Sequence, residues 1–190
     1  MSALDIALGY IDRGWKPVPI PYKKKGPVIE GWQTLLLNET TAHDHFNGSA
    51  QNIGIILGPP SHGLTDVDLD CPEALTVASY LLPITKAMFG RTSKRASHFL
   101  YVSDLAATID KAGIQFQDPN KQTQHKVTLL EVRIGGGGKA AQTVFPGSVH
   151  ESGEPVAWEH GYDGEPAAVA ADGLLKAAKE AAAACLFARY

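Results

Sequence analysis

Apolar and polar positions follow two different periods along this chain, and the switches between them mark its elements. Leu4, Ala7, Leu8 and Ile11 recur at helical spacing, with Ser2 placed to cap and Gly14 to stop a helix over 2–11. The stretch 15–22 reads as extended. Pro17, Pro19 and Pro21 lack a backbone donor and confine it to a sheet edge. Thr40 or Thr41 is placed to cap a short helix through Phe46; its His43 and His45, two residues apart, do not share a face and suit the surface better than a metal site. Residues 52–58 predict a buried strand, ended by Gly58-Pro59-Pro60. A second strand over 63–70 carries acids at alternate positions. It runs into a helix from Pro72 to Leu82, with Asp70 or Cys71 near the cap and Pro83 at the end. Residues 88–91 and 97–102 predict two short strands joined by a polar loop. Asp104 is placed to cap a helix that Gly113 closes, and further strands are expected at 127–134, 142–145 and 156–158. From Asp172 onward Leu174, Leu175, Ala178, Ala182, Cys185 and Leu186 return to helical spacing. Helices and strands alternate irregularly, which predicts α+β, or mixed α/β, with a partly antiparallel sheet.

The chain has 190 residues, enough for one medium domain or two small lobes sharing a core. A formal net charge of −3 removes the domain-wide basic excess that marks many nucleic-acid-binding domains. Local basic clusters remain at Lys23-Lys24-Lys25 and at Arg91, Lys94 and Arg95; a solvated loop is the plainer account of each. Cys71 and Cys185 are too few for a disulfide framework or a four-cysteine zinc site, which fits a reducing, cytoplasmic setting. No apolar run reaches membrane-span length, so a soluble protein without a membrane partner is expected. The chain stops at Tyr190 without a helix-ending glycine or proline, which suggests a domain excised from a longer protein.

Three segments carry candidate chemistry. In 63–72, strand alternation would turn Asp66, Asp68 and Asp70 to one side. Neighbouring carboxylates repel unless a cation or proton sits between them, and hard divalent ions favour such oxygens; acidic gatekeepers on an edge strand are the alternative. In 91–101, Ser97 and His98 open a strand after a cationic loop, where both side chains suit phosphate oxygens; a packed or surface imidazole is the competing account. In 129–138, Glu131 and Arg133 share a strand face ahead of four glycines that permit close backbone approach to a ligand, although Glu131 and Arg133 would also suit a structural salt bridge. The glycine run matches neither the Walker A nor the Rossmann pattern. A later turn presents Ser148 and His150.

The order of these segments resembles the N-terminal primase/polymerase (prim-pol) domain of the archaeo-eukaryotic primase superfamily, as in phage and plasmid replication proteins. Asp68-Leu69-Asp70 matches that family's Asp-x-Asp strand. Asp66-Val67-Asp68 offers the same pattern two residues earlier. Ser97-His98 matches its Ser-x-His motif imperfectly, with Arg95 and Ala96 at glycine-like positions. Glu131 matches its later single acid. Gly14-Trp15-Lys16-Pro17, Lys25-Gly26-Pro27, Trp32, the segment 52–55 and Pro146-x-Ser148-x-His150 agree as well, so the likeness covers roughly residues 4–160.

The resemblance implies a two-lobed primase core, with an N-terminal α/β unit and an RRM-like sheet around one cleft, filling residues 1–190 as a single catalytic domain. It implies a DNA primase/polymerase that adds nucleotides to a 3′-hydroxyl. Asp68, Asp70 and Glu131 would bind Mg²⁺ or Mn²⁺, and His98 would contact the incoming nucleotide. Ser97, Arg91, Lys94, Arg133, Lys25 and His150 would contribute to the nucleotide site. The implied partners are nucleoside triphosphates, a DNA template and primer, and a helicase domain in the full-length protein, all inside a bacterial host cell. The same residues would also suit a metal-dependent nuclease, or a binding module of a replication protein that has lost activity.

Overall fold

The computed structural model describes residues 1–120, 122 and 124–190. The chain opens with α1 (Ala3–Asp12), fixed by a reciprocal capping box in which Ser2 and Asp5 satisfy each other's backbone donors. Next come β1 (Lys16–Pro21), α2 (Ala42–His45) and β2 (Gln51–Ile56), then β3 (Leu64–Leu69) and α3 (Pro72–Leu81). The hairpin β4 (Ala87–Arg91) and β5 (Lys94–Val102) follows, then α4 (Leu105–Thr108), β6 (Gly113–Gln117) and β7 (Thr128–Arg133). The last elements are β8 (Gln142–Val144), β9 (Ala157–Asp163), β10 (Ala167–Ala168) and α5 (Ala171–Arg189).

Two sheets result, and the architecture is mixed α/β. A small antiparallel sheet has the order β1-β2-β8, with the proline-rich β1 at its edge as expected. The larger sheet runs β6-β7-β3-β5-β4-β9 with antiparallel neighbours, and β10 adds a short parallel pairing to β5. One face of the larger sheet, carrying Val67, Leu69, Phe99, Leu130 and Val132, packs under α3 and α5. On the other face, Leu64, Phe89 and Leu100 meet Trp15, Ile53, Ile55 and Phe145 from the N-terminal unit. Phe89 lies 5.0 Å from Phe145 and 5.4 Å from Trp158, centroid to centroid. Phe89 and Phe145, both fully buried, each contribute about 2–3 kcal/mol. The acidic strand β3 is therefore central, and its even-numbered residues face the junction of the two sheets. Cys71 and Cys185 are free and buried. Among the described residues no helix is long and apolar enough to cross a membrane.

Four local expectations need correction. The strand at 97–102 begins at Lys94, because Lys94–Ala96 continues the hairpin and only Thr92 and Ser93 form its turn. The helix after Asp104 spans a single turn. Gly113 opens β6 instead of ending that helix, because Ile114 and Phe116 pack on the core while β6 pairs with β7. Asp104 makes no cap bond to α4; its Oδ1 accepts the Ala171 N–H at the start of α5, 2.9 Å away. Thr41 likewise makes no side-chain cap bond to α2, its hydroxyl being engaged with Asn38.

Candidate active site

Sheet register brings the candidate residues together. Asp68 is paired across β3–β5 with His98 and across β3–β7 with Glu131, so these side chains share a face. Asp70 follows β3, held by its N–H to the Leu129 carbonyl at 2.8 Å. Asp68, Asp70, Lys94, His98, Arg133 and His150 line a cleft of about 410 Å³, which Lys25, Arg91 and Ser97 also border. The cleft takes in further residues that sequence reasoning did not single out, notably Lys24, Lys126 and Thr143. Neither Asp66 nor Glu131 is among its walls.

Cations already crowd the acids. Arg133 donates from Nη2 to Asp68 at 2.6 Å and from Nε to Glu131 at 2.9 Å; its Nη1 reaches Asp66 at 3.4 Å. Lys94 Nζ lies 3.3 Å from Asp68 and 3.7 Å from Asp70, and Lys126 also bonds Asp70. Glu131 additionally accepts from Gln115 at 3.3 Å. The Glu131–Arg133 salt bridge exists, then, as one branch of a wider network. Burial by itself would raise the Asp68 carboxyl, but the charges of His98, Arg133 and Lys94 outweigh it and bring the group down to about 2. Burial by itself would lower Arg133, yet Asp68, Asp66 and Glu131 hold its guanidinium above the ordinary value. Among the described residues no three His, Cys, Asp or Glu side chains stand grouped as a metal site.

His98 is stacked on Phe89 with centroids 4.5 Å apart, and its Nδ1 lies 3.0 Å from Asp66 Oδ2. His150 accepts the Ser152 N–H at Nδ1, which leaves the hydrogen of its neutral ring on Nε2. Its pKa is lowered by burial first, then by Arg91 and Lys25. Lys25 pairs with Glu151 at 2.7 Å. Arg91 donates to Ser93 at 2.8 Å and to Glu154 at 2.9 Å. Glu154 also accepts the Ser93 N–H at 2.7 Å, tying the β4–β5 turn to the loop that carries His150. Ser97 is buried beside His98. No motif pointed to Glu154 or Lys126, whose partners Ser93, Arg91 and Asp70 are distant in the chain.

None of the four glycines borders the cleft. A Cβ on Gly135 would sit 2.7 Å from the Leu57 carbonyl oxygen, and Gly136 is pressed against the backbone at Ile109 and Lys111. The close approach these glycines permit is to the protein's own chain.

An acidic central strand, a histidine and an acid in register on either side, and a cation-lined cleft in front are now in view. Residues 7–172 match the family "Bifunctional DNA primase/polymerase, N-terminal". The chain belongs to this family. The prim-pol match covers most of the 190 residues, including every candidate site residue. No curated protein matches the chain.

Proposed function

We propose that this prim-pol domain is a DNA-dependent nucleotidyltransferase that extends a 3′-hydroxyl on a template, within a replication protein of a phage or plasmid. The observation that carries the reading is the register of Asp68 with His98 and Glu131, beside a cleft rich in lysine and arginine. A chain of net charge −3 that gathers Lys24, Lys25, Arg91, Lys94, Lys126 and Arg133 around one cleft is suited to a polyphosphate. The larger sheet, with β3 between β5 and β7 and helices on its far face, supports an RRM-like arrangement.

Asp68 and Asp70 offer hard oxygen donors at the cleft, and the lysines drawn to them testify to the anionic field there. By type these oxygen donors suit Mg²⁺ or Mn²⁺, and Asp68, Asp70 and Glu131 are the residues that would hold it, with Glu131 released from Arg133 and Gln115, which engage it outside the cleft wall. Such an ion supplies positive charge to phosphoryl oxygens. His98 would turn Nε2 to the incoming nucleotide, donating to a phosphate oxygen when that nitrogen carries a hydrogen, and Ser97 lies next to it. Lys94, Arg91 and Arg133 would offset negative charge, while Lys25 and His150 would bound the far side. A helicase domain elsewhere in the full-length protein and a bacterial cytoplasm as the setting belong to the same proposal.

The deciding experiment is extension of a labelled primer–template with Mn²⁺ or Mg²⁺ and nucleoside triphosphates. Asp70→Ala and Glu131→Ala are each expected to reduce extension by about 100-fold or more, the scale seen when a group stabilising transition-state charge is removed. Shortening of the label would identify a nuclease instead. Nucleotide binding without extension, equal in wild type and both variants, would leave a binding module.

A further inference from the structure

Asp66 is an acid that the polymerase chemistry leaves without a task. It shares a sheet face with Asp68, yet it is fully buried and does not border the cleft. A buried carboxylate costs several kcal/mol unless partners offset the loss of water. Asp66 has three: Thr143 Oγ1 donates at 2.7 Å, Arg133 Nη1 lies at 3.4 Å, and His98 Nδ1 lies 3.0 and 3.2 Å from its two oxygens.

The last contact has a direction. A carboxylate only accepts, so the Nδ1 of His98 carries the hydrogen. This holds for the neutral ring and for the imidazolium alike. Phe89 covers one face of that ring, its plane within 12° of the imidazole. Between the carboxylate at one edge and the phenyl ring on one face, the imidazole has a single orientation. Its Nε2 points towards Asp68, 3.8 Å from Oδ1, at the cleft.

We infer that Asp66 is a positioning residue, which fixes the Nδ1–H of His98 and so presents Nε2 to a nucleotide in the cleft. The inference rests on the proposal that His98 serves the nucleotide. It gives Asp66 a role other than metal ligand, and it explains why an acid is kept where strand patterning would accept an apolar side chain. Outer partners of this kind fix the tautomer and aim of a histidine. A purely structural role, compensation of Arg133, is the rival account.

The test is long-range ¹H–¹⁵N NMR of the full chain labelled in its histidine rings, with His98 assigned from a His98→Gln spectrum, followed by nucleotide kinetics of Asp66→Asn. In wild type the hydrogen is expected on Nδ1 of His98 throughout. In Asp66→Asn that preference is expected to be lost. KM for the nucleotide should then rise about tenfold, as for outer partners of this kind, with kcat little changed. A wild-type ring with a bare Nδ1 and its hydrogen on Nε2 overturns the inference, even if Asp66→Asn fails to fold. So does an Asp66→Asn protein that melts earlier yet keeps both ring state and KM. A wild type with the expected ring state but no nucleotide binding overturns the polymerase reading and the positioning role with it; the spectrum tells these failures apart.

Discussion

Arg133 and Arg189 are each wrapped in carboxylates, and the two knots are built differently. Arg189, at the end of α5, donates to both oxygens of Glu73 at 3.0 and 3.1 Å and to Asp118 at 2.8 Å. Its remaining bond goes to the Lys126 carbonyl at 3.0 Å, and the Tyr190 hydroxyl closes on Asp118 at 3.0 Å. The side chains of Arg189 and Asp118 are wholly covered, and neither borders the cleft. Arg133, at the end of β7, is divided among Asp66, Asp68 and Glu131, while the neighbouring Asp70 is met by Lys94 and Lys126. One knot is a closed set of fixed-geometry bonds that pins a helix to the sheet. The other holds more carboxylates than one guanidinium can satisfy and relies on ammonium groups on flexible stems. Carboxylates and mobile cations side by side at an open cleft suit cation and phosphate chemistry, whereas a saturated pair suits folding. The contrast therefore predicts that Arg189 governs stability and the cleft residues govern activity.

The strongest way to break that contrast is a pair of variants. Arg189→Met leaves Glu73 and Asp118 without their cation, and removing one partner of a buried ion pair costs about 3 kcal/mol or more. Extension per folded molecule is expected to stay at the wild-type level. Lys94→Met, whose side chain is partly exposed, is expected to cost less than about 1 kcal/mol but to reduce extension by about 100-fold. Urea denaturation and primer extension on both proteins check this, and an exchange of the two phenotypes would reverse the assignment.

Acid sharpens the same contrast by a smaller amount. The hydrogen bonds from Arg189 lower the Glu73 carboxyl from 4.5 to about 2. A lowered folded-state pKa means stability that is fully present above the unfolded value and is lost as pH falls towards the folded one. Glu73 should therefore stabilise the protein above pH 4.5 and cease to do so near pH 2. Solvent screening holds the contribution to about 1–2 kcal/mol. Measured against Glu73→Gln, the wild-type advantage in denaturation midpoint should shrink steadily across that window. An advantage independent of pH would show that the charge of Glu73 is not what stabilises.

What the sequence made legible were features written in short spacings. Alternation in β3 put Asp66 and Asp68 on one face, prolines placed β1 at an edge, and Ser2 announced the cap of α1. The residues that escaped notice depend on partners far along the chain. Lys126 meets Asp70, Thr143 meets Asp66 and Glu154 meets Ser93, each across a tertiary contact with no local signature. The strand β6 did have a readable alternation, Ile114 and Phe116 against Gln115 and Gln117, but a helix extended to Gly113 hid it. The glycine run misled for a related reason: glycine signals close backbone approach without saying to what, and at Gly135 and Gly136 the neighbour is the chain's own backbone.

The smallest expected effect lies in the strand that carries His98. Ala96 has φ of +45°, in the left-handed region where a Cβ is disfavoured. It stands at the irregularity where β4 and β5 shift register, opposite Gly90, at which any Cβ would fall 2.8 Å from the Ala96 nitrogen. Glu159 holds this kink in place, accepting the Ala96 N–H at 2.7 Å and the Arg95 guanidinium at 3.1 Å. The conformation of Ala96 is thus held by its neighbours against the preference of an alanine. Ala96→Gly should relieve the strain and stabilise the protein by about 0.5–1 kcal/mol, part of the gain being offset by the greater freedom of glycine when unfolded. A rise in urea midpoint at unchanged slope, with extension unaltered, is the expected result. A fall in the midpoint would mean that Glu159 holds the kink at no cost to the backbone, and that the strand beneath the cleft is relaxed.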